Sequence, residues 1–273
     1  MNALRDLFAW AVPAWPGALI DHTWVTTYDN RKTPYSKVSE VAKAGEFYWY
    51  CWGSFDKTGG SPGIPNGYLG KQSGDLGLAR CLVQANVTCQ ESPPARGTIF
   101  IYGLNGVCHQ LANQALYATR NGHETPLTVS KSNGYWLSLY IYGTYGWDTV
   151  SWGNKLASCG AIHNTIVVAE PTTMDEFEER ARKMFGGRDE AELLRRFLAL
   201  RAEISHSVSQ KWPGSTPPSA EALNARNRDL FEQAARLLGR KKFKRFFGFE
   251  HDQKKIDLVD PRMLKAFRPP VKD

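Results

Sequence analysis

The pattern of hydrophobic and polar residues changes along the chain from short β-prone runs to long amphipathic stretches. In the first part, aromatic and β-branched residues cluster in runs that predict strands, because such side chains pack well on a pleated surface. The predicted strands cover residues 18–28, 46–55, 127–130, 135–142 and 162–169. After residue 172, apolar residues recur at helical spacing and predict helices over residues 173–186, 189–208 and 219–239.

One helix is predicted within the β-prone part. A strand-like run at residues 98–102 is broken by Gly103 and Gly106, and apolar residues recur at helical spacing from Val107 onward. Cys108 is therefore expected in the first turn of a buried helix. Weaker patterns predict a helix over residues 1–10, a helical turn over 36–44 and a long glycine-rich loop over 57–75.

These elements predict an α+β fold in two parts. Residues 1–171 are expected to form a β-rich domain, in which an antiparallel sheet packs on the central helix that carries Cys108. Residues 172–273 are expected to form a C-terminal helical region. A content of 42% hydrophobic residues is ample for a buried core in a chain of this length.

Charge and cysteine content narrow the possible functions. The formal net charge is +7, and the helical region carries +6 of it, which falls short of a nucleic-acid-binding signature, so no nucleic-acid partner is expected. Five cysteines without framework spacing favour a reducing compartment. No apolar run reaches the roughly 18 residues of a membrane span, and no signal peptide stands out. We therefore expect a cytoplasmic protein without a transmembrane segment, or an effector exported by another route.

Cys108 is the main candidate for chemistry. The first turn of a helix collects unpaired backbone N–H groups and the positive end of the helix dipole, and both favour a thiolate over a thiol. The competing interpretation is an inert buried thiol, since free cysteine is among the most buried residue types. A nucleophilic cysteine also needs a base, and His22 and His163 both lie in predicted strands. His109 adjoins Cys108, but adjacent helical side chains diverge by about 100°, which argues against it as the base.

These residues resemble the papain-like NlpC/P60 superfamily, in which a cysteine opens a helix that packs on an antiparallel sheet and a strand supplies a histidine. Residues 16–28, which include His22, resemble the Pro-Gly turn and histidine strand of the permuted form, which includes the lecithin:retinol acyltransferase-like and YiiX-like proteins. Residues 102–110 resemble its cysteine turn. In the unpermuted form the cysteine comes first, and His163 lies in a run that resembles the equivalent strand. The permuted order is favoured, and the resemblance covers residues 16–120.

The resemblance implies a thiol-dependent hydrolase or acyltransferase that attacks an amide, ester or thioester carbonyl and passes through an acyl-enzyme. Cys108 is then the nucleophile and His22 the base, with His163 as the alternative base or a further member of the site. The oxyanion is expected to meet the backbone N–H of Cys108, assisted by Gln110 or Asn105. The expected partner is a small-molecule, peptide or lipid acyl substrate. No cofactor and no metal are expected.

A zinc site is one alternative to this chemistry. Cys159 and His163 have a spacing that suits metal ligation, and Cys108 with His109 offers two further ligands. No Cys-x2-Cys pair supports such a site.

A non-enzymatic binding module is another alternative. Residues 240–247 interleave basic and aromatic side chains, which suits binding to nucleic acid or to an acidic partner. The simpler interpretation is that Phe243, Phe246 and Phe247 pack inward while the basic side chains stay solvated.

Overall fold

The computed structural model describes residues 4–33, 35, 38–49, 67–75, 102–104, 106–120, 125–146, 176–209, 218–253, 256–261 and 264. The strands are β1 (Arg5–Pro13), β2 (Asp21–Thr26), β3 (Tyr48–Trp49) and β4 (Tyr68–Gly74). The helices are α1 (Val38–Lys43), α2 (Cys108–Thr119), α3 (Tyr135–Tyr142), α4 (Glu176–Phe185), α5 (Ala191–Ser209), α6 (Ala220–Leu238) and α7 (Arg240–Phe247). The strands form one antiparallel sheet in the order β3, β2, β1, β4, on which α2 packs. The predicted α+β fold, with a sheet on the helix that carries Cys108, is confirmed.

The first strand occupies a segment that was predicted to be a helix. The spacing of Leu4, Leu7 and Phe8 suggested a helix over residues 1–10, and that prediction was wrong, because β1 begins at Arg5. Residues 7–12 alternate between smaller and larger apolar side chains, which is the two-residue period of a strand. β1 pairs with both β2 and β4 and is buried along most of its length.

The fourth strand lies within residues 57–75, where a loop was predicted, and the prediction was wrong for this segment. Most side chains of β4 are exposed or half-buried, so the strand lacks a hydrophobic signal. Gly74 instead permits close packing against α2. A Cβ atom at Gly74 would overlap the backbone oxygen of Thr119, the last residue of α2. The strand β4 is therefore stabilised by its pairing with β1 and by its contact with α2.

Helix α2 packs on the sheet face that carries the small residues of β1. Gln72 of β4 pairs with Leu7, and its side-chain nitrogen donates to the backbone oxygen of Leu116 in α2 at 2.7 Å. Since directly opposite residues share a face, Leu7 faces α2, and Ala9 and Ala11 follow it on the same side. These alanines leave room for the helix to approach the sheet closely.

Helix α3 replaces a predicted strand over residues 135–142, so that prediction was wrong. The run is rich in aromatic and branched residues, and periodicity cannot separate a short buried strand from a short buried helix. Gly134, with φ of 83°, precedes the helix, and Gly143, with φ of 72°, follows it. Every residue of α3 except Trp136 is buried. Residues 127–130, which were also predicted to be a strand, have an irregular backbone.

The helices of the C-terminal part confirm the predicted pattern. Ser219 caps α6 by accepting a hydrogen bond from the backbone nitrogen of Ala222 at 3.2 Å. Gly239, with φ of 74°, ends the same helix. Within the described residues, no helix combines the length and apolar content that a membrane crossing needs.

The hydrophobic core runs from the β-rich part into the C-terminal helices. The ring of Tyr140 in α3 lies 5.7 Å from that of Phe177 in α4 and 5.9 Å from that of Phe197 in α5. Both phenylalanines are fully buried. These aromatic contacts join residues on the two sides of position 172. The division into domains of residues 1–171 and 172–273 stays a prediction.

Candidate active site at Cys108

Cys108 is the first residue of α2 and directly follows the N-cap residue Val107. Gln110 closes this turn, because its side-chain oxygen accepts a hydrogen bond from the backbone nitrogen of Val107 at 3.0 Å. The thiol Sγ donates to the backbone oxygen of Asp21 in β2 at 3.8 Å. Cys108 keeps 6% of its surface exposed. The predicted position of Cys108, in the first turn of a buried helix, is confirmed.

Asp21 ties the start of β2 to the turn before α3. Its carboxylate Oδ2 accepts from the backbone nitrogen of Asn133 at 2.7 Å, and its own backbone nitrogen donates to the backbone oxygen of Asn133 at 3.0 Å. Burial raises the pKa of Asp21, although the hydrogen bonds from Asn133 act in the opposite direction. A buried carboxyl group thus lies beside the backbone oxygen that binds the thiol.

The His109 ring points toward α3 and is fully buried. Its Nδ1 lies 2.9 Å from Oγ of Ser138, and that hydroxyl donates its single proton to the backbone oxygen of Tyr135 at 2.8 Å. Ser138 must therefore accept from His109, which assigns the imidazole proton to Nδ1. Nε2 then carries a lone pair, and this atom has no hydrogen-bond partner among the described residues. The opposite tautomer would leave a buried N–H without an acceptor, which is the costlier arrangement.

The charge state of His109 follows from its surroundings. Burial lowers the pKa of His109, and a charge on His22 acts in the same direction, whereas negative charges on Cys108 and Asp21 oppose the lowering. The imidazole is therefore neutral at pH 7. Because the unfolded chain regains the usual pKa of about 6.5, it binds more protons than the folded chain below that pH. The contribution of His109 to stability is complete above about pH 6.5 and is lost as the pH falls below it.

The side chain of His22 lies on the sheet face opposite to Leu7. It pairs with Val12, and Trp10 pairs with Trp24, so these four side chains share the sheet face opposite to Leu7. The stacking of His22 on Trp24, with ring centroids 5.9 Å apart, agrees with this orientation. The predicted strand around His22 is correct, but its ring lies on the other face of β2 from α2. The role of His22 as the base of Cys108 stays a prediction.

The side chain of Gln110, a predicted oxyanion ligand, is fully committed to other partners. Its nitrogen donates to Oγ of Ser138 at 3.3 Å and to the backbone oxygen of Gly143 at 2.9 Å. Both amide hydrogens are thereby used, so Gln110 braces α2 against α3 and has no donor left for an oxyanion. Asn105 and His163, the other predicted members of the site, lie outside the described residues.

Sequence reasoning missed Asp21 and Ser138 and discounted His109. A signal for Asp21 was available in the dipeptide Asp21-His22, because neighbouring strand residues face opposite sides and only one of them can face the helix. Ser138 was hidden by the wrong prediction of a strand over residues 135–142. The divergence of adjacent helical side chains is correct, since the Cys108 thiol bonds to β2 and the His109 ring bonds to α3.

The described residues offer no metal centre at this site. No group of three or more His, Cys, Asp or Glu side chains in this part of the chain could hold a metal ion. The zinc alternative also requires Cys159 and His163, which lie outside the described residues. Three cavities of about 470, 390 and 200 Å³ are lined by other residues. Cys108 is a buried residue and lines none of these three cavities.

The basic aromatic segment of α7 is packed as the simpler interpretation predicted. Phe243, Phe246 and Phe247 are buried, so their rings are not available to stack on nucleic-acid bases. The lysines of α7 face outward, where Lys242 forms an ion pair with Glu190 at 2.6 Å. The aromatic side chains of this segment therefore do not support the hypothesis of a binding module.

Comparisons with protein-family models, curated proteins and solved structures find no match to this chain. The resemblance to the NlpC/P60 superfamily stays a prediction. The chemistry proposed for the site depends on the geometry of its own residues.

Proposed function

We propose that this protein is a thiol-dependent hydrolase or acyltransferase that uses Cys108 as its nucleophile. The observation that carries the proposal is the placement of this thiol in the first turn of α2, next to a buried carboxyl group and a neutral buried imidazole. The substrate class is a small-molecule, peptide or lipid compound with an amide, ester or thioester carbonyl. The resemblance to papain-like enzymes, together with a cytoplasmic location, belongs to the same proposal.

Activation of the thiol follows from its position. The backbone N–H groups of the first helical turn point toward the N-terminal end of α2, where the dipole favours negative charge. A thiolate at Cys108 is therefore stabilised relative to a thiol in ordinary solution. The same N–H groups suit the oxyanion that forms when the thiolate attacks a carbonyl, and they supply the donors that Gln110 lacks.

No imidazole is assigned to the first proton transfer. The His109 ring bonds to α3 while the thiol bonds to β2, and the His22 ring lies on the sheet face opposite to Leu7. Activation therefore comes from the N-terminal turn of α2, and the thiol proton passes to water as the thiolate forms. Sulfur then bonds to the carbonyl carbon, the carbonyl electron pair moves to oxygen, and the leaving group takes a proton from water when the tetrahedral intermediate collapses. Water or another acceptor then releases the acyl group and restores the thiol.

Acylation by p-nitrophenyl acetate tests the proposed function. We expect a burst of p-nitrophenolate and one acetyl group on Cys108, located by peptide mass mapping. Cys108→Ala should remove both the burst and the label, because no other group carries the acyl intermediate. An equal burst from Cys108→Ala, or acetylation confined to other residues, would contradict the proposal.

The pH dependence of this acylation tests whether an imidazole takes part. Because the position of the thiol alone supplies the activation, the wild-type rate should rise with pH as Cys108 loses its proton. His22→Gln and His109→Gln should both keep this profile. A loss of roughly 100-fold at pH 7 in only one of the two variants would contradict this and assign the base to that histidine.

A further inference from the structure

The turn that leads into α2 is closed on itself. Tyr102 pairs with Gly106, and the backbone nitrogen of Gly103 donates to the backbone oxygen of Gly106 at 2.8 Å. Gly103 has a φ of 83°, which favours glycine. Only Val107 separates this closed turn from Cys108. Any displacement of the turn therefore moves the thiol relative to Asp21 of β2.

Residues distant in the chain hold the turn by its carbonyl group. The backbone oxygen of Gly103 accepts from the hydroxyl of Tyr142 at 2.8 Å and from Nη2 of Arg226 at 3.3 Å. Asn227 joins the group by donating to the Tyr142 hydroxyl at 3.3 Å and accepting from Arg226 at 3.0 Å. Arg226 forms no ion pair with a carboxylate in the described part of the chain. Its hydrogen-bond acceptors at this junction are oxygen atoms of the turn, α3 and α6.

The same turn is packed tightly against the C-terminal part. A Cβ atom at Gly103 would lie 2.9 Å from Cδ1 of Leu223 in α6 and 3.0 Å from Cγ1 of Val259. The hydroxyl of Tyr102 accepts from the backbone nitrogen of Asp260 at 3.3 Å. Helix α6 and residues 256–260 thus contact the turn directly in front of Cys108.

We propose that Arg226 is a positioning residue for Cys108, which it acts on through the carbonyl group of Gly103. The C-terminal helical region then has a role in the chemistry, because it sets the geometry of the turn that presents the nucleophile. This inference rests on the proposed function of Cys108. Arg226 itself does not touch the reacting atoms.

Two arginines on α6 give a matched test. Arg226→Met removes the donor to Gly103, whereas Arg228→Met removes an exposed arginine that pairs with Asp257. With p-nitrophenyl acetate we expect Arg226→Met to lower kcat by roughly 10- to 100-fold with little change in KM, because misplacement of a reacting group by about 1 Å has effects of that size. Arg228→Met should keep both values. Arg226→Lys should recover part of kcat, since its ammonium group also donates.

Alkylation of Cys108 by iodoacetamide gives a readout that does not depend on acyl chemistry. In Arg226→Met the midpoint of the pH profile for alkylation should move up toward the usual thiol value of about 8.5, and in Arg228→Met it should stay at the wild-type position. An unchanged midpoint and kcat in Arg226→Met would overturn the inference. Should Arg226→Met fail to fold, Tyr142→Phe, which removes the other donor to Gly103, decides by the same two readouts. A wild-type protein that is never acylated at Cys108 refutes the proposed function, while the alkylation profiles still decide the role of Arg226.

Discussion

Replacing Phe177 by alanine should lower the free energy of unfolding by about 3–5 kcal/mol. Its ring is fully buried, and its centroid lies 5.0 Å from that of Phe246 in α7 and 5.3 Å from that of Phe197 in α5. Tyr140 of α3 stacks on the same ring. Truncation would therefore open a cavity where four helices meet, and rings held from several sides cannot collapse to fill it.

Urea unfolding measures this loss, with Phe249→Ala as the matched control. Phe249 is the same residue type but only half-buried, so its truncation should lower the free energy of unfolding by about 1 kcal/mol. Similar losses in the two variants would mean that the rings around Phe177 are not packed as described.

Asn113→Ala should destabilise the protein by about 2–5 kcal/mol, because it leaves several buried polar groups without partners. Asn113 is fully buried in α2, and its side-chain nitrogen donates to the hydroxyl of Tyr135 and to the backbone oxygen of Thr144, each at 3.0 Å. Its side-chain oxygen accepts from the backbone nitrogen of Val129 at 3.1 Å. One amide thus holds α2 to α3 and to the segments on either side of α3.

Gln233→Ala is the control for Asn113→Ala, since it removes an amide from a half-buried position on α6 and should change the free energy of unfolding by less than about 0.5 kcal/mol. Thermal or urea unfolding of both variants measures the difference. A loss in Asn113→Ala as small as that in the control would show that water or a rearranged backbone replaces the three hydrogen bonds.

Helices with a long amphipathic pattern were predictable from the sequence. The limits of α6 are an example. Its apolar stripe, the N-cap Ser219 and the C-terminal Gly239 are enough to predict this helix, because local and tertiary preferences agree there. The first turn of α2 was equally predictable from the glycine break before Val107. The α+β class follows from the division between β-prone and helical parts.

Short buried elements were not predictable, because burial on all sides removes the periodic signal. The residues of α3 have the composition of a strand, and only the surrounding helices together with Gly134 and Gly143 make them helical. The apolar spacing near Leu7 also fits a helix, and the sequence does not show that β4 pairs with β1. Tertiary contacts decided both elements.

The candidate site depends on which residue of β2 faces α2. His22 lies in β2 as predicted, but the pleat gives Asp21 and His22 opposite faces. Which of the two faces α2 depends on the side of the sheet that the helix covers, and this is set by the small side chains of Ala9 and Ala11 on β1. The sequence of β2 alone does not show whether Asp21 or His22 faces the helix.

Competitive alkylation of the native protein tests the central claim, that Cys108 is a reactive thiol, most directly. The folded chain is treated with limiting iodoacetamide at pH 7, and the modified cysteines are identified by peptide mass mapping. We predict that Cys108 reacts ahead of the other four cysteines, at a rate that low concentrations of urea leave unchanged. Modification of Cys108 only as fast as global unfolding exposes it would contradict the account and identify Cys108 as an inert core residue.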